Sequence, residues 1–236
     1  MDVINEKKYF ETRQEMIDFV IKNSDAYGEY FFPLLEALKD DIALDFQENN
    51  PMLIRQLFSK FELYKEGTDE YSIIANLLEN YSFLTGNCCE IGAGHYPRLS
   101  ELVIPKLEKR NYHLTIYEPN IIFTDFKATI IKNKFTKESN ISNIDTLFAL
   151  YPCEATITIA EKAFEEDKNL LLACCGCNHS ITEHPKWFSS KYWAEDFCMD
   201  YQEKYGNEVE IINWPSHINN DLPIMVRKMT NKRVNK

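Results

Sequence analysis

From residue 87 onward, short apolar runs alternate with segments whose apolar residues recur at helical spacing. The runs at 87–91, 113–117 and 144–150 predict strands, and a stretch of helical spacing follows each of them. A further run at 169–174, Asn-Leu-Leu-Leu-Ala-Cys, is almost unbroken in its apolar character, which is typical of a strand covered on both faces. Strands and helices that alternate in this way predict a parallel sheet with helices packed against it.

Two segments near the C-terminus complete the predicted sheet. The segments at 209–214 and 222–228 predict strands, and the loop between them is too short to hold a crossover helix, so these two strands should be antiparallel. A helix is predicted at 121–131, and a weak strand around Phe135. The sequence therefore predicts an α/β fold with a doubly wound, mostly parallel seven-stranded sheet and an antiparallel final strand.

The first third of the chain has a different pattern. Between residues 8 and 84 the apolar residues recur at helical spacing, and no strand-like alternation interrupts them. Thr68-Asp69-Glu70 supplies an N-cap and early negative charge for the last of these helices. A chain of 236 residues can bury one sizeable core and carry a small appendage. We therefore expect a helical cap at 1–85 and one α/β domain at 86–236.

Charge and composition narrow the classes of partner. The formal net charge is -11, and a cluster of basic residues is confined to the C-terminal tail, so nucleic acid is a disfavoured partner. The first residues lack the apolar core of a secretory signal, and no apolar run reaches the roughly 18 residues that a membrane span needs. We therefore expect a cytoplasmic protein with no membrane partner, and the odd number of cysteines suggests reduced thiols.

The turn after the first predicted strand, Gly92-Ala93-Gly94, is the most informative local motif. Ligands of a doubly wound sheet bind beyond the carboxyl ends of the strands, where the first turn offers backbone N–H groups at a helix N-terminus. Glycines let the backbone bend sharply and let a ligand approach closely. The following helix begins at Pro97, and Pro105 should kink it or split it. The turn therefore predicts a site for a carboxylate or a phosphate.

An acidic residue at the end of the second predicted strand completes this pattern. Glu118 follows the glycine turn at close to the spacing of roughly 20 residues expected of an acid that accepts hydrogen bonds from ribose hydroxyls. A G-x-G turn alone is common in unrelated loops. Here a strand, the turn, a helix, a second strand and an acid occur in the required order, and together they predict binding of a nucleoside.

The segments Glu90-Ile91-Gly92-Ala93-Gly94 and Tyr117-Glu118-Pro119-Asn120, with the antiparallel final strands, resemble the class I S-adenosylmethionine-dependent methyltransferase superfamily, which has a Rossmann-like fold. The resemblance covers roughly residues 80 to 230. It implies a transferase with S-adenosylmethionine as its cofactor. Locally, Gly94-His95-Tyr96-Pro97 and Leu150-Tyr151-Pro152-Cys153-Glu154 are similar to a group of small archaeal Rossmann-like proteins with a G-x-Y-P turn.

The resemblance also implies roles for individual residues. Glu118 would hold the ribose, and Pro119 would flank the adenine. At His95-Tyr96-Pro97 the sequence departs from the superfamily pattern, in which a third glycine is frequent, so the methionine end is expected to be held differently. The implied cofactor-binding residues are Glu90, Gly92, Ala93, Gly94, His95, Tyr96, Glu118 and Pro119.

Candidate catalytic residues follow the fourth and fifth predicted strands. Analogy with the superfamily places residues after the fourth strand next to the reactive methyl group, which nominates Tyr151, Pro152 and Glu154 for contact with the acceptor. Tyr151-Pro152 is equally compatible with an ordinary strand-to-helix turn. His179, in the loop after the fifth strand, is a candidate general base because an unperturbed imidazole titrates near pH 6.5. A simple polar contact is the alternative for this histidine.

The loop after the fifth predicted strand is also rich in metal-ligating residue types. Cys174, Cys175, Cys177, His179 and His184 occur within it. Their spacing lacks the C-x2-C motif with a second, distant pair that structural zinc sites use, and such sites normally need four ligands. We therefore predict no metal site.

Four functions are compatible with the sequence. The first is methyl transfer from S-adenosylmethionine to a small-molecule acceptor, which the N-terminal helices and the loops around Tyr151 and His179 would enclose. The second is transfer of the aminocarboxypropyl group of the same cofactor. The third is a nicotinamide-dependent oxidoreductase, since Glu118 suits the ribose of that cofactor equally well, although Pro97 replaces the last glycine of G-x-G-x-x-G. The fourth is a non-catalytic nucleoside-binding module, which keeps the fold without the chemistry.

Overall fold

The computed structural model describes residues 69–121, 124–175, 192–216, 218 and 220–230, and single residues at 18, 21, 22, 24 and 35. The helices predicted between residues 8 and 68, and with them most of the predicted cap, lie outside the described residues. Cys177, His179 and His184 lie outside them as well.

A helix precedes the sheet. Helix α1 (Glu70–Asn80) begins where the sequence predicts it, because the side chain of Asp69 accepts hydrogen bonds from the backbone N–H groups of Tyr71 (3.1 Å) and Ser72 (3.2 Å). Such a cap satisfies N–H groups that have no partner within the helix. The N-cap prediction is confirmed, and it fixes the direction in which α1 enters the domain.

Strands and helices then alternate along the chain. The strands are β1 (Cys88–Ile91), β2 (Leu114–Tyr117), β3 (Thr129–Ile131), β4 (Thr146–Leu150), β5 (Asn169–Ala173), β6 (Val209–Ile212) and β7 (Ile224–Arg227). The helices after α1 are α2 (Arg98–Glu108), α3 (Thr156–Glu165) and α4 (Trp193–Tyr205), and short 3-10 turns occupy Cys153–Ala155 and Gly206–Glu208.

The seven strands form one sheet in the order β3-β2-β1-β4-β5-β7-β6. Strands β1 to β5 are all parallel to one another, whereas β7 is antiparallel to both β5 and β6. The prediction of a doubly wound, mostly parallel seven-stranded sheet with an antiparallel final strand is confirmed. The chain winds outward from β1 through β2 to β3, and then returns to the other side of β1 at β4.

The structure differs from three details of the predicted elements. Strand β3 lies at Thr129–Ile131 instead of around Phe135, and the residues described between 121 and 128 form turns and bends rather than a helix. Three consecutive β-branched residues lose side-chain freedom in a helix and pack well on a pleated sheet, which favours the strand. Helix α2 also continues through Pro105 to Glu108, so Pro105 does not split it.

Helices cover both faces of the sheet, because successive residues of β5 belong to two different apolar cores. Leu170 and Leu172 belong to the apolar core that contains residues of α3 and α4, whereas Leu171 belongs to the core that contains residues of α1 and α2. All three leucines are fully buried, which explains why their sequence shows no polar alternation. Within the described ranges, no helix is long and apolar enough to cross a membrane.

Candidate functional site

The sheet has one switch point in its winding, between β1 and β4. These two strands are adjacent and parallel, but β2 and β3 lie on one side of them and β5 on the other. The connections that leave their carboxyl ends therefore diverge, and a crevice forms between them. Open α/β sheets bind their ligands in this crevice. The predicted site residues after β1, β2 and β4 all follow strands that end at this edge.

The glycine turn after β1 has the backbone conformation that its sequence suggests. Gly92 and Gly94 have φ values of 74° and 71°, a region that residues with a Cβ rarely adopt. A Cβ placed on Gly92 would lie only 3.1 Å from the Cα of Pro152, which follows β4. The turn after β1 and the turn after β4 are thus in direct contact, and a glycine is needed at position 92 for two separate reasons.

Glu118, the residue after β2, stabilises the glycine turn through a hydrogen bond to its backbone. Its carboxylate accepts a hydrogen bond from the backbone N–H of Gly94 (2.9 Å) and another from the backbone N–H of Asn120 (2.8 Å). The side chain is buried, yet an ionised carboxylate offers about four acceptor positions in total. Glu118 therefore joins the two turns and can still accept hydrogen bonds from a ligand. The sequence predicted its position but gave no sign of this bracing role.

Glu90 lies at the same edge but is almost completely enclosed, with 3% of its surface exposed. The hydroxyl of Ser100, in the first turn of α2, donates a hydrogen bond to its carboxyl group. Burial raises the pKa of Glu90 to about 7, the charge of Glu118 adds to this increase, and the hydrogen bonds from Ser100 partly oppose it. The site therefore contains an acid whose charge changes near neutral pH.

The remaining predicted cofactor-binding residues differ in exposure. Ala93 is buried in the core on the α1 and α2 face, and Tyr96 is fully buried with its ring edge-on to Phe126 at 5.9 Å between centroids. His95 is partly buried, and Pro119 is exposed. Tyr96 thus packs in the interior against Phe126, whereas Pro119 lies at the surface, where a ligand can reach it.

Tyr151, the first residue after β4, is held by three parts of the chain. It has a φ of 56°, unusual for a residue other than glycine. Its hydroxyl donates a hydrogen bond to the carboxylate of Glu70 (2.6 Å), the first residue of α1, and accepts one from the side-chain amide of Asn220. Its ring centroid lies 6.0 Å from that of Trp214, which follows β6.

Glu154, the second predicted catalytic residue, has a different environment. It is exposed and forms an ion pair with Lys134 at 2.7 Å. Exposed ion pairs of this kind contribute little to stability, since water screens them. The structure thus brings Tyr151 together with Glu70, Asn220 and Trp214, but brings Glu154 to a surface lysine. The catalytic role of His179 remains a prediction, because this residue lies outside the described ranges.

Cys174 and Cys175 are both buried directly after β5. The Sγ atom of Cys174 lies 3.8 Å from that of Cys198 in α4, and this hydrogen-bonding contact, together with burial, raises the pKa of Cys174 well above its usual value. No group of three or more metal-ligating side chains occurs among the residues that the structure describes. Since Cys177, His179 and His184 are not among them, the absence of a metal stays a prediction.

Four residues of the site were not singled out from the sequence: Glu70, Ser100, Trp214 and Asn220. Glu70 was interpreted only as early negative charge in a helix, and Asn220 only as part of a loop. The Asn-Asn-Asp composition of that loop is typical of side chains that bond to their own backbone, and Asn220 does so by accepting from the N–H of Leu222 (2.9 Å). Nothing in the sequence relates this loop to Tyr151.

The strand order and the glycine turn at the switch point define a Rossmann-like α/β protein with a candidate ligand site at the carboxyl edge of its sheet. The sequence matches no protein-family model, and no curated protein matches it.

Among solved structures, the chain is similar to the CurJ carbon methyltransferase, with a TM-score of 0.48 and 12% identity over 92% of this chain and 71% of that chain. It is similar to a methyltransferase of Podospora anserina with S-adenosylhomocysteine bound, with a TM-score of 0.46 and 11% identity over 94% and 99% of the two chains. It is also similar to the plantazolicin methyltransferase BpumL in complex with S-adenosylhomocysteine, with a TM-score of 0.46 and 13% identity over 92% and 99%.

Proposed function

We propose that this chain binds S-adenosylmethionine at the carboxyl edge of its sheet and transfers the methyl group to a small-molecule acceptor. The observation that carries the proposal is the contact between the backbone N–H of Gly94 and the carboxylate of Glu118. Because of this contact, Glu118, which we propose binds the ribose hydroxyls, lies directly beside the turn that we propose binds the rest of the cofactor. It does so at the switch point, where doubly wound sheets bind nucleotides.

The residues of the site fit each part of S-adenosylmethionine. The carboxylate of Glu118 has acceptor capacity for the ribose hydroxyls beyond its two backbone bonds. The exposed ring of Pro119 offers an apolar surface for adenine. The negative charges of Glu118 and ionised Glu90 favour the positive sulfonium and ammonium groups, and the turn before α2 offers the positive end of a helix to the methionine carboxylate.

The cofactor supplies an electrophilic methyl group when it is bound, and the protein would contribute position and exclusion of water. Tyr151 is partly buried, and its hydroxyl is held by a hydrogen bond to Glu70. It adjoins Pro152, which contacts Gly92. A fixed polar side chain therefore lies next to the turn that would hold the cofactor. This geometry supports a role of Tyr151 in positioning the acceptor. It does not support the same role for Glu154, which is exposed and paired with Lys134.

We extend the proposal to the class of acceptor and to the location of the protein. The net charge of -11 opposes the approach of a phosphate backbone, which favours a small molecule over a nucleic acid as acceptor. The class of acceptor can be tested directly, by a search for methylated products among small molecules and RNA after incubation of the protein with labelled cofactor. We also propose a cytoplasmic location, which cell fractionation tests.

Isothermal titration calorimetry tests the cofactor proposal. We expect S-adenosylmethionine and S-adenosylhomocysteine to bind with micromolar affinity, and reduced nicotinamide dinucleotide not to bind in the same range. No heat with either sulfur compound would refute the proposed cofactor, and micromolar binding of the nicotinamide would favour an oxidoreductase instead. The mass of the modified acceptor then separates transfer of a methyl group from transfer of an aminocarboxypropyl group.

The variant Gly92→Ala is expected to lose affinity for S-adenosylhomocysteine by about tenfold or more, because a shift of the turn by a few tenths of an ångström misplaces its N–H groups. The added Cβ would meet Pro152 at 3.1 Å in a backbone conformation with positive φ. The strain should also lower the free energy of unfolding by about 1–3 kcal/mol. Calorimetry and thermal denaturation measure the two effects.

Gly206→Ala is the matched control for this variant. Gly206 also has a positive φ, of 59°, but a Cβ placed there would have no neighbour within 4 Å, and the residue ends α4 on the other face of the sheet. Its replacement should reduce stability through backbone strain and leave the affinity unchanged. An equal loss of affinity in both variants would show that Gly92 acts only through overall stability.

A further inference from the structure

A buried acid lies on β1, just before the glycine turn. Glu90 is 3% exposed, and its neighbours along the strand, Cys89 and Ile91, belong to the apolar core on the α3 and α4 face. Because side chains alternate along a strand, Glu90 points to the opposite face, which α1 and α2 cover. There Ser100, a fully buried residue of α2, donates a hydrogen bond to its carboxyl group. The acid is thus enclosed between the sheet and the helix that follows the turn.

The neighbours of Glu90 within the sheet are apolar. Its partners on the adjacent strands are Ile116 in β2 and Phe148 in β4, and both side chains are fully buried. Among the residues that the structure describes, no lysine, arginine or histidine forms an ion pair with this carboxyl group. An ionised carboxylate without a cation is unfavourable in such surroundings. Glu90 therefore needs either a proton or a positive charge nearby.

Glu118 is the charged group that acts on Glu90. Its carboxylate accepts hydrogen bonds from the backbone N–H groups of Gly94 (2.9 Å) and Asn120 (2.8 Å). Burial raises the pKa of Glu90 to about 7, and the negative charge of Glu118 contributes to this increase. A positive charge placed beside Glu118 would act on Glu90 with the opposite sign. It would favour loss of the proton from Glu90.

The surface around Glu118 is open to a ligand, whereas Glu90 is not. Gly94 is partly exposed, and Pro119 and Asn120 are exposed. A cofactor at the turn can therefore approach Glu118 from solvent without reaching the enclosed carboxyl group of Glu90. The interaction between two charges falls only with the inverse of their distance, and it is stronger in a poorly polar medium than in water. Glu90 can thus respond to the charge of a ligand that it does not contact.

We propose that Glu90 is a charge-responsive residue of the cofactor site, which loses its proton when S-adenosylmethionine binds beside Glu118, and that Ser100 positions its carboxyl group for this response. This inference rests on the proposed function. The sulfonium group of S-adenosylmethionine carries a positive charge that S-adenosylhomocysteine lacks, so an ionised Glu90 favours the cofactor over the product. The protein then distinguishes the two compounds by charge, and the distinction grows as the pH rises through the range in which Glu90 ionises.

Methyl transfer changes the charge to which Glu90 responds. The bond between sulfur and the methyl carbon breaks while a bond forms between that carbon and the acceptor, and the sulfur keeps the electron pair and becomes a neutral thioether. Without the positive charge, Glu90 takes up a proton from the solvent. Binding of the cofactor is therefore coupled to release of a proton, and formation of the product to its return. Ionised Glu90 gives the product no such electrostatic stabilisation.

Other charged groups near Glu90 have to be separated from it. Those of α2, of the glycine turn and of the end of β2, together with the histidine of the turn, are His95, Arg98, Glu101, Lys106, Glu108 and Glu118, whereas β4 contains none. Arg98 and Glu101 form an ion pair with each other at 2.7 Å. All these groups, and the amino group of the ligand, are the same in wild type and Glu90→Gln. A difference between the pH profiles of these two proteins therefore belongs to Glu90.

Titration calorimetry on the full chain, without an acceptor, tests the inference. At about pH 7, buffers of different ionisation enthalpy give the number of protons released on binding, which we expect to be about half a proton for S-adenosylmethionine and fewer for S-adenosylhomocysteine. The affinity for the cofactor relative to the product should rise by up to about tenfold between about pH 6 and pH 8. Glu90→Gln should abolish this rise. The proton count is measured on the wild type, so it does not depend on the folding of a variant.

Ser100→Ala tests the positioning role. Since the hydroxyl favours the ionised form of Glu90, we expect its loss to move the rise in relative affinity to a pH about one unit higher. Thr146→Val is the matched control, because the hydroxyl of Thr146 is also buried but donates to the backbone carbonyl of Phe83 (2.8 Å), at the start of β4. Its pH profile should equal that of the wild type. An equal displacement in both variants would overturn the assignment of Ser100.

The outcomes distinguish failure of this inference from failure of the proposed function. If both sulfur compounds bind, but the proton count and the pH profile are the same in wild type and Glu90→Gln, the inference is wrong and the proposed cofactor stands. If neither compound binds at any pH, the proposed function is wrong and the inference falls with it. A relative affinity for S-adenosylmethionine that decreases as the pH rises would overturn the stated direction of the coupling.

Discussion

Replacing Glu118 by alanine is expected to weaken binding of S-adenosylhomocysteine by about 100-fold or more. Hydrogen bonds to a charged acceptor contribute about 1.5–3 kcal/mol each, and two ribose hydroxyls would lose their acceptor in this variant. The carboxylate also holds the N–H groups of Gly94 and Asn120, so the turn itself loses a brace. Isothermal titration calorimetry on the wild type and the variant measures the change.

The two roles of Glu118 are separable by choice of ligand. Loss of the brace would weaken all ligands of the turn, whereas loss of the ribose contact would weaken only those with hydroxyls. We therefore expect the wild type to prefer adenosine over 2′,3′-dideoxyadenosine, and Glu118→Ala to bind both equally. If the variant kept the full preference, Glu118 would not be the residue that holds the ribose.

The exposed acid Glu203, in α4, serves as the control for a simple change of charge. Glu203→Ala alters the net charge by the same amount as Glu118→Ala, but it lies away from the carboxyl edge of β1 and β2. Its affinity for S-adenosylhomocysteine should equal that of the wild type. Parallel losses in the two variants would point to a general electrostatic effect.

The parts of the fold that the sequence predicts well depend on local pattern. Short apolar runs, a glycine turn and a following helix are features of neighbouring residues, and β1, α2 and β2 lie where those features place them. The antiparallel final pair follows from the shortness of one loop. The predicted position of β3 was wrong because this edge strand, Thr129–Ile131, is only three residues long. The alternation of apolar and polar residues that identifies a strand cannot be recognised over so short a segment.

The surroundings of Tyr151 could not be predicted in the same way. The hydroxyl of Tyr151 meets Glu70, which is 81 residues away in sequence, and Asn220, which is 69 residues away. These contacts exist only because α1 and the loop before β7 fold onto the same face of the sheet. The sequence placed Tyr151 at the correct edge, but its partners depend on packing that no local spacing encodes.

For Glu90 the sequence motif predicts the position of the residue, but the raised pKa of its carboxyl group results from burial in the folded protein. The motif identifies an acid at the end of β1, as it would in a solvent-exposed turn. Burial then raises the pKa of its carboxyl group from 4.5 to about 7. An acid whose pKa is raised by folding destabilises the native state once it ionises, so the ionised form of Glu90 does not contribute to the stability of the fold.

The variant Glu90→Gln is therefore expected to stabilise the protein at alkaline pH and to have little effect at acid pH. Since the pKa in the folded state exceeds that of the unfolded chain, the favourable contribution of the protonated acid is complete below about pH 4.5 and is lost as the pH rises through about 7. At pH 8 the expected difference is about 3 kcal/mol, or about 6–12 °C in Tm for a chain of this size. Denaturation at pH 5 and pH 8 measures it.

The same variant should bind S-adenosylmethionine less well at pH 8, because an ionised Glu90 would favour the positive sulfonium and ammonium groups, whereas glutamine remains neutral. Stability and affinity thus change in opposite directions, which a purely structural role of Glu90 does not produce. Glu203→Gln, which removes an exposed charge, should alter neither quantity. If Glu90→Gln were no more stable than the wild type at pH 8, the carboxyl group would already ionise freely in the native protein. Burial of the carboxyl group would then not raise its pKa.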